Sequence, residues 1–195
     1  MLMAAIDELE HRVRDLYEAQ SPGRDEWADW LYANYIFVVQ RWVRELAQNL
    51  GANEDLCRAA AVLQDVAAAQ MKRQDPGYEA GVLRLARKLL HEFGYNTNDV
   101  RIVVDDALKL QKCGGAQVPK TLEGQILATA VALTHLTTDF YIYATWAKGR
   151  EAPLKAVKEW VLAEAKSDLE QRIRFDEVRE SVRVDYEQLR AVFSR

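Results

Sequence analysis

Apolar residues recur at helical spacing along almost the whole chain, and no segment sustains the apolar–polar alternation of a strand. That pattern restricts the fold to an all-α domain, a compact bundle of about seven or eight helices. The 195 residues, 49% of them hydrophobic, suffice to bury a full core without cross-links. Two cysteines without regular spacing, Cys57 and Cys113, suggest neither a zinc motif nor a disulfide framework, and both are read as reduced thiols. The net charge of −4 argues against a nucleic-acid footprint, which demands a basic excess. The first residues are amphipathic and charged from Asp7 onward, unlike a signal peptide, and no window approaches the roughly 18 apolar residues of a membrane span. The expected location is therefore cytoplasmic, with no membrane association.

Periodicity and punctuation divide the chain into an N-terminal helix and turn (1–24), core helices (25–147) and C-terminal helices (153–195). The first helix, 4–19, carries Ile6, Leu9, Val13 and Leu16 on one face and stops before "SPGRD". A long helix over 25–50 ends at Gly51, where glycine accepts a left-handed cap, and Asn53 caps the next one. That helix runs through "AAAVLQDVAAAQ", residues 59–70, and sets Gln64 and Asp65 side by side in an otherwise apolar run. Buried polar groups of this kind are costly unless hydrogen-bonded or ligated. A loop, "RQDPGYEAG", precedes a helix over 78–93, and Thr97 is the expected cap of "DVRIVVDDALKLQK". After the loop "CGGAQVPK", Thr121 should cap a nearly uncharged helix, "LEGQILATAVALTHLTTDFYIYATWA", at the centre of the domain. Pro153 suits the first turn of the next helix, and two charged amphipathic helices complete the chain.

The order of "WADWLYANYIFVVQRWVRELAQNLGANEDLCRAAAVLQDVA", "DPGYEAGVLRLARKLLHEFGY", "PKTLEGQILATAVALTHLTTDFY" and "KEWVLAEAKSDLEQRIRFDEVR" resembles the HD-domain superfamily of all-α metal-dependent phosphohydrolases. The chain is most similar to its small single-domain bacterial and archaeal members. In that family a histidine, an adjacent His-Asp pair and a later aspartate converge on divalent metal, which acidifies bound water and polarises a phosphoryl oxygen. By position, the first histidine corresponds to Tyr35, the His-Asp pair to Gln64 and Asp65, and the last aspartate to Val131. Accessory histidines fall near Tyr78 and at Leu110 or Gln111. Only Asp65 keeps a strong ligand, since tyrosine is neutral near pH 7, an amide ligates weakly and valine has no donor. None of His11, His91 and His135 lies on a matching ligand position.

The resemblance thus implies a pseudoenzyme: a degenerate HD-domain protein, with no metal expected, that acts by binding. Its partner would be another protein, a second copy, or a small phosphate-containing ligand in the old pocket, for which Tyr35, Gln64, Asp65, Tyr78 and Gln111 are the candidate contacts. The alternative is a phosphohydrolase on nucleotides or other phosphate esters, using Mn, Fe or Mg in a non-standard shell. Gln64 and Asp65 are expected to form a core hydrogen-bond network that includes the Tyr35 hydroxyl, with Val131 as core and His135 as a packed or hydrogen-bonded residue. Asp105 and Asp106 diverge by about 100° on a helix and suit a partly solvated face. Asp75, Glu79 and Glu123 are expected in loop or cap roles. Lys72, Arg73, Arg84, Arg87 and Lys88 are expected at the solvated surface, or else as holders of an anion. The aromatic residues of 27–42 and 140–146 should fill the core, with an exposed anchor patch as the alternative.

Overall fold

The computed structural model describes residues 4–114 and 117–195. Met1–Met3, and Gly115 and Ala116 of the expected "CGGAQVPK" loop, lie outside the described residues. The described chain is helical, without strands, and its ten helices exceed the expected seven or eight. They are α1 (Ala5–Glu18), α2 (28–50), α3 (Glu54–Leu63), α4 (Tyr78–Glu92), α5 (97–108), α6 (Leu122–Thr137), α7 (Phe140–Lys148), α8 (154–172), α9 (Asp176–Ser181) and α10 (Arg183–Phe193). One hydrophobic core runs from Ile6 in α1 to Phe193 in α10, so neither end forms a separate layer.

Helix α6 lies at the centre because it has almost no polar face, and a helix apolar all round is stable only when surrounded. From Ile126 to Leu136 every residue is buried, with α2, α3, α5 and α8 packed about it. Its N-terminus is capped as expected: the Thr121 hydroxyl accepts from Gly124 N. Asn53 caps α3 through Leu56 N, and Gly51 ends α2 at φ 70°. At α5 the cap is Asn96, whose side chain accepts from two first-turn amides, and not Thr97. Pro153 likewise sits just before α8 and not inside its first turn.

Two expected helices are broken. Helix α3 ends at Leu63, and after Gln64 and Asp65 a 3₁₀ turn, Val66–Ala69, begins. Asp65 leaves helical geometry (φ −127°, ψ 21°), and its main-chain oxygen accepts both from Ala68 N and from the Tyr17 hydroxyl, each at 2.8 Å. The second break separates α6 from α7. Thr138 is extended, and its hydroxyl donates back to Thr134 O while accepting from Phe140 N. A threonine offering the backbone such local bonds competes with the helix ladder.

Three helices contain a π turn: Leu31–Ile36 in α2, Arg101–Leu108 in α5 and Asp168–Arg172 in α8. Such a turn inserts one residue and re-aims the side chains around it. In α5 Asp105 pairs with Arg87 at the surface while Asp106 is buried, so the two diverge as expected but only Asp105 lies on the solvated face. Asp106 accepts from Lys120 N, Thr121 N and the Thr121 hydroxyl, fixing the entry into α6. Asp75 accepts from Lys72 N and Glu123 from Asn53 N, the loop and cap roles expected of them, and Glu79 pairs with Lys112.

Candidate functional site

Two buried polar groups meet in the core, one around Asp65 and one around His135. The first forms where the broken helix turns beneath α1 and α4. Asp65 is 8% exposed, and its Oδ1 accepts from the Tyr78 hydroxyl at 2.9 Å. Arg73, on the connection between the 3₁₀ turn and α4, brings Nη1 to 3.3 Å from the same oxygen. Arg73 thus stays at the surface, as expected of it, while its tip reaches a buried carboxylate. Buried Asp25 anchors that connection, accepting from Arg73 N at 2.6 Å and from Trp27 N. Burial, and then the Asp65 charge, raise the Tyr78 and Tyr17 hydroxyls well above the ordinary tyrosine range. Asp65 in turn holds Arg73 firmly charged.

The second group is centred on α6. His135 Nδ1 lies 2.9 Å from Asp168 Oδ2 and its Nε2 lies 3.1 Å from the Tyr35 hydroxyl. A carboxylate only accepts, so Nδ1 carries the proton toward Asp168 and Nε2 accepts from Tyr35. Asp168, fully buried, also accepts from the Tyr141 hydroxyl and from Arg172 Nη1, and Arg172 continues to Glu164. The imidazole stacks on Phe140 with centroids 3.9 Å apart. Tyr35 and the Asp168–Arg172 pair both come from π turns, so local re-aiming brings the two ends of this chain onto one histidine.

Tyr35 belongs to the second group. It is buried, and its ionisation is suppressed first by that burial and then by the Asp65 charge. Its hydroxyl bonds to His135 and not to Gln64 or Asp65, a correction to the expected network. Gln64, at the end of α3, is buried with no partner for its Nε2 among the described residues. Val131 is core, one helical turn before His135. Tyr78 joins Asp65, whereas Gln111 turns back to donate to Leu108 O and takes no part in the hydrogen bonding around Asp65.

The Tyr35–His135–Asp168 order has the donors and acceptors of an acid–base relay, but it is closed to solvent. The surface recesses at Arg24–Lys72, Leu154–Phe193 and Met71–Lys88 are lined by none of its members. Its chemistry here is that of a polar clamp within an apolar core. Among the described residues, no three His, Cys, Asp or Glu side chains gather as a metal site, and no helix is long and apolar enough to cross a membrane. Outside the clamp, Trp30 stacks on Tyr143 at 4.1 Å and nearly parallel, while Ile142 and Trp146 on α7 stand more than 60% exposed. The interhelical aromatic stack and an exposed apolar face therefore coexist.

Tyr17, Asp168 and Arg172 are not among the residues singled out from the sequence, and Tyr141 is core as expected but with a polar partner that its pattern does not reveal. A signal for Asp168 was present: it falls on the apolar stripe Val157, Val161, Ala165, where a charge demands partners. No family model, curated protein or solved structure matches the chain.

Proposed function

We propose that this chain is a degenerate HD-domain-like protein of the cytoplasm that works by binding and not by hydrolysis. The observation that carries the reading is the state of Asp65, the one strong ligand left among the four family positions. Its carboxylate is engaged by Tyr78 and Arg73, so the protein supplies the positive charge that a metal would otherwise bring. Tyr35 is committed to His135, and Val131 adds apolar burial worth roughly 1.5–3 kcal/mol at the fourth position. Of the partners considered, a protein is favoured over a small phosphate-containing ligand. Ile142 and Trp146 supply exposed anchors of the kind enriched at interfaces, whereas the clamp's members are buried and line none of the three surface recesses described above.

The test is a hydrolysis assay on nucleotides and simple phosphate esters with Mn²⁺ or Mg²⁺. Wild type and Asp65→Ala should give the same background rate. Metal-dependent turnover that Asp65→Ala abolishes would overturn the proposal in favour of a phosphohydrolase with a non-standard shell.

A further inference from the structure

Arg73 reaches Asp65 from outside the bundle. Its main chain belongs to the exposed connection before α4, its side chain is 38% exposed, and its tip ends against a carboxylate that is 8% exposed. The seat beneath the guanidinium is built of complementary groups: Oδ1 of Asp65 at 3.3 Å, and the Tyr78 ring with its centroid 5.9 Å away. A buried carboxylate beside an aromatic face is a cation site by electrostatics alone.

Arg73 fills this seat loosely. Arg58 donates three hydrogen bonds to Asp7 and Glu10, whereas the Arg73 guanidinium, with its five N–H groups, donates no aligned hydrogen bond among the described residues. The connection carrying it is tied mainly by Asp25 to Arg73 N, and by Asp75 to Lys72 N within the connection itself. Because the side chain runs inward from an exposed backbone, its withdrawal leaves a slot from solvent to Asp65. The neighbouring recess of about 500 Å³ sets Asp25, Glu26, Asp29 and Glu151 against Arg24 and Lys72.

We propose that Asp65 and Tyr78 form a binding site for a guanidinium group, occupied in cis by Arg73 until a guanidinium from another molecule displaces it. A small guanidino compound and an arginine side chain of a partner protein share this chemistry. The inference stands on the geometry of Asp65, Arg73 and Tyr78 and does not depend on the family resemblance.

The experiment compares wild type, Arg73→Ala and Arg73→Ala/Asp65→Asn, each checked for helical content, with Arg73→Gln replacing Arg73→Ala if the latter does not fold. Melting temperature is followed against methylguanidinium, with methylammonium and NaCl at matched ionic strength as controls. Arg73→Ala should melt below wild type, and its melting temperature should rise with the logarithm of one plus methylguanidinium over an apparent Kd of about 1 mM, while the double variant should not respond. Wild type should show the same rise with an apparent Kd at least about tenfold higher, because Arg73 competes. Titration with acetyl-arginine-amide and with an arginine-bearing peptide then separates the sources: equal apparent Kd values indicate a small guanidino ligand, and a lower value for the peptide indicates a partner's arginine. The proposal fails if Arg73→Ala gives no rise beyond the ionic-strength controls, if the double variant responds equally, or if wild type shows no rise at about a hundredfold excess over the Arg73→Ala apparent Kd. That last result would make Arg73 a fixed part of the core.

Discussion

Asp168→Ala is expected to destabilise the protein by about 3–5 kcal/mol, a large share of the stability of a domain this size. Asp168 is fully buried and accepts from His135, Tyr141 and Arg172. Removing it leaves the guanidinium of Arg172, 11% exposed, with Glu164 as its remaining carboxylate partner. Two further donors lose their acceptor inside the core, and each such loss costs about 1–3 kcal/mol. Asp168→Asn keeps the shape and one acceptor oxygen while removing the charge, and should fall between wild type and alanine. Denaturant melts of the three proteins measure the differences. A loss below about 1 kcal/mol for Asp168→Ala would show that the clamp contributes little.

Stability should also collapse at alkaline pH, and the sign follows from the buried hydroxyls. Tyr17, Tyr35, Tyr78 and Tyr141 all have pKa values raised above the ordinary 10.0, chiefly by burial and then by Asp65 or Asp168. The Cys57 thiol is raised from 9.0 to about 12, again chiefly by burial. Above pH 9 to 10 the folded state therefore holds more protons than the unfolded chain, so unfolding releases protons and is favoured as pH rises. The stabilisation is complete below pH 9 and is lost progressively above it. Each group contributes a slope of about 1.4 kcal/mol per pH unit once past its unfolded pKa, so four tyrosines together exceed about 5 kcal/mol per unit. The tyrosinate absorbance of these four should appear only together with the loss of helical circular dichroism, after any rise from the less buried tyrosines. Early ionisation of these tyrosines in a still helical protein would contradict their burial.

The all-helical class was legible because helical periodicity repeats in every segment, and the caps at Gly51, Asn53 and Thr121 were legible because capping is a local bond. The interruptions were not. Asp65 leaves the helix where Tyr17, 48 residues away in sequence, adds a hydrogen bond to its carbonyl, and no pattern within 59–70 carries that information. Thr138 ends α6 through bonds to Thr134 and Phe140, a local signal hidden by the apolar run on either side. Tyr35 was placed correctly on a buried face but given the wrong partner, since the π turn that carries it has no clear sequence signature. The divergence of Asp105 and Asp106 was legible from helix geometry, but the burial of Asp106 was not, since its partners at the start of α6 lie 14 and 15 residues further along the chain.

The most direct test of the account is the metal content of the purified protein together with its melting temperature in Mn²⁺, Fe²⁺, Ni²⁺ and Mg²⁺. With the Asp65 carboxylate satisfied by Tyr78 and Arg73, the account predicts substoichiometric metal and an unchanged melting temperature with all four ions. Any ligand that binds only the folded state stabilises it by RT ln(1 + [L]/Kd), and so raises the melting temperature as its concentration exceeds its Kd. Stoichiometric metal, or a concentration-dependent rise that Asp65→Ala removes, would contradict this and return Asp65 to the role of a metal ligand.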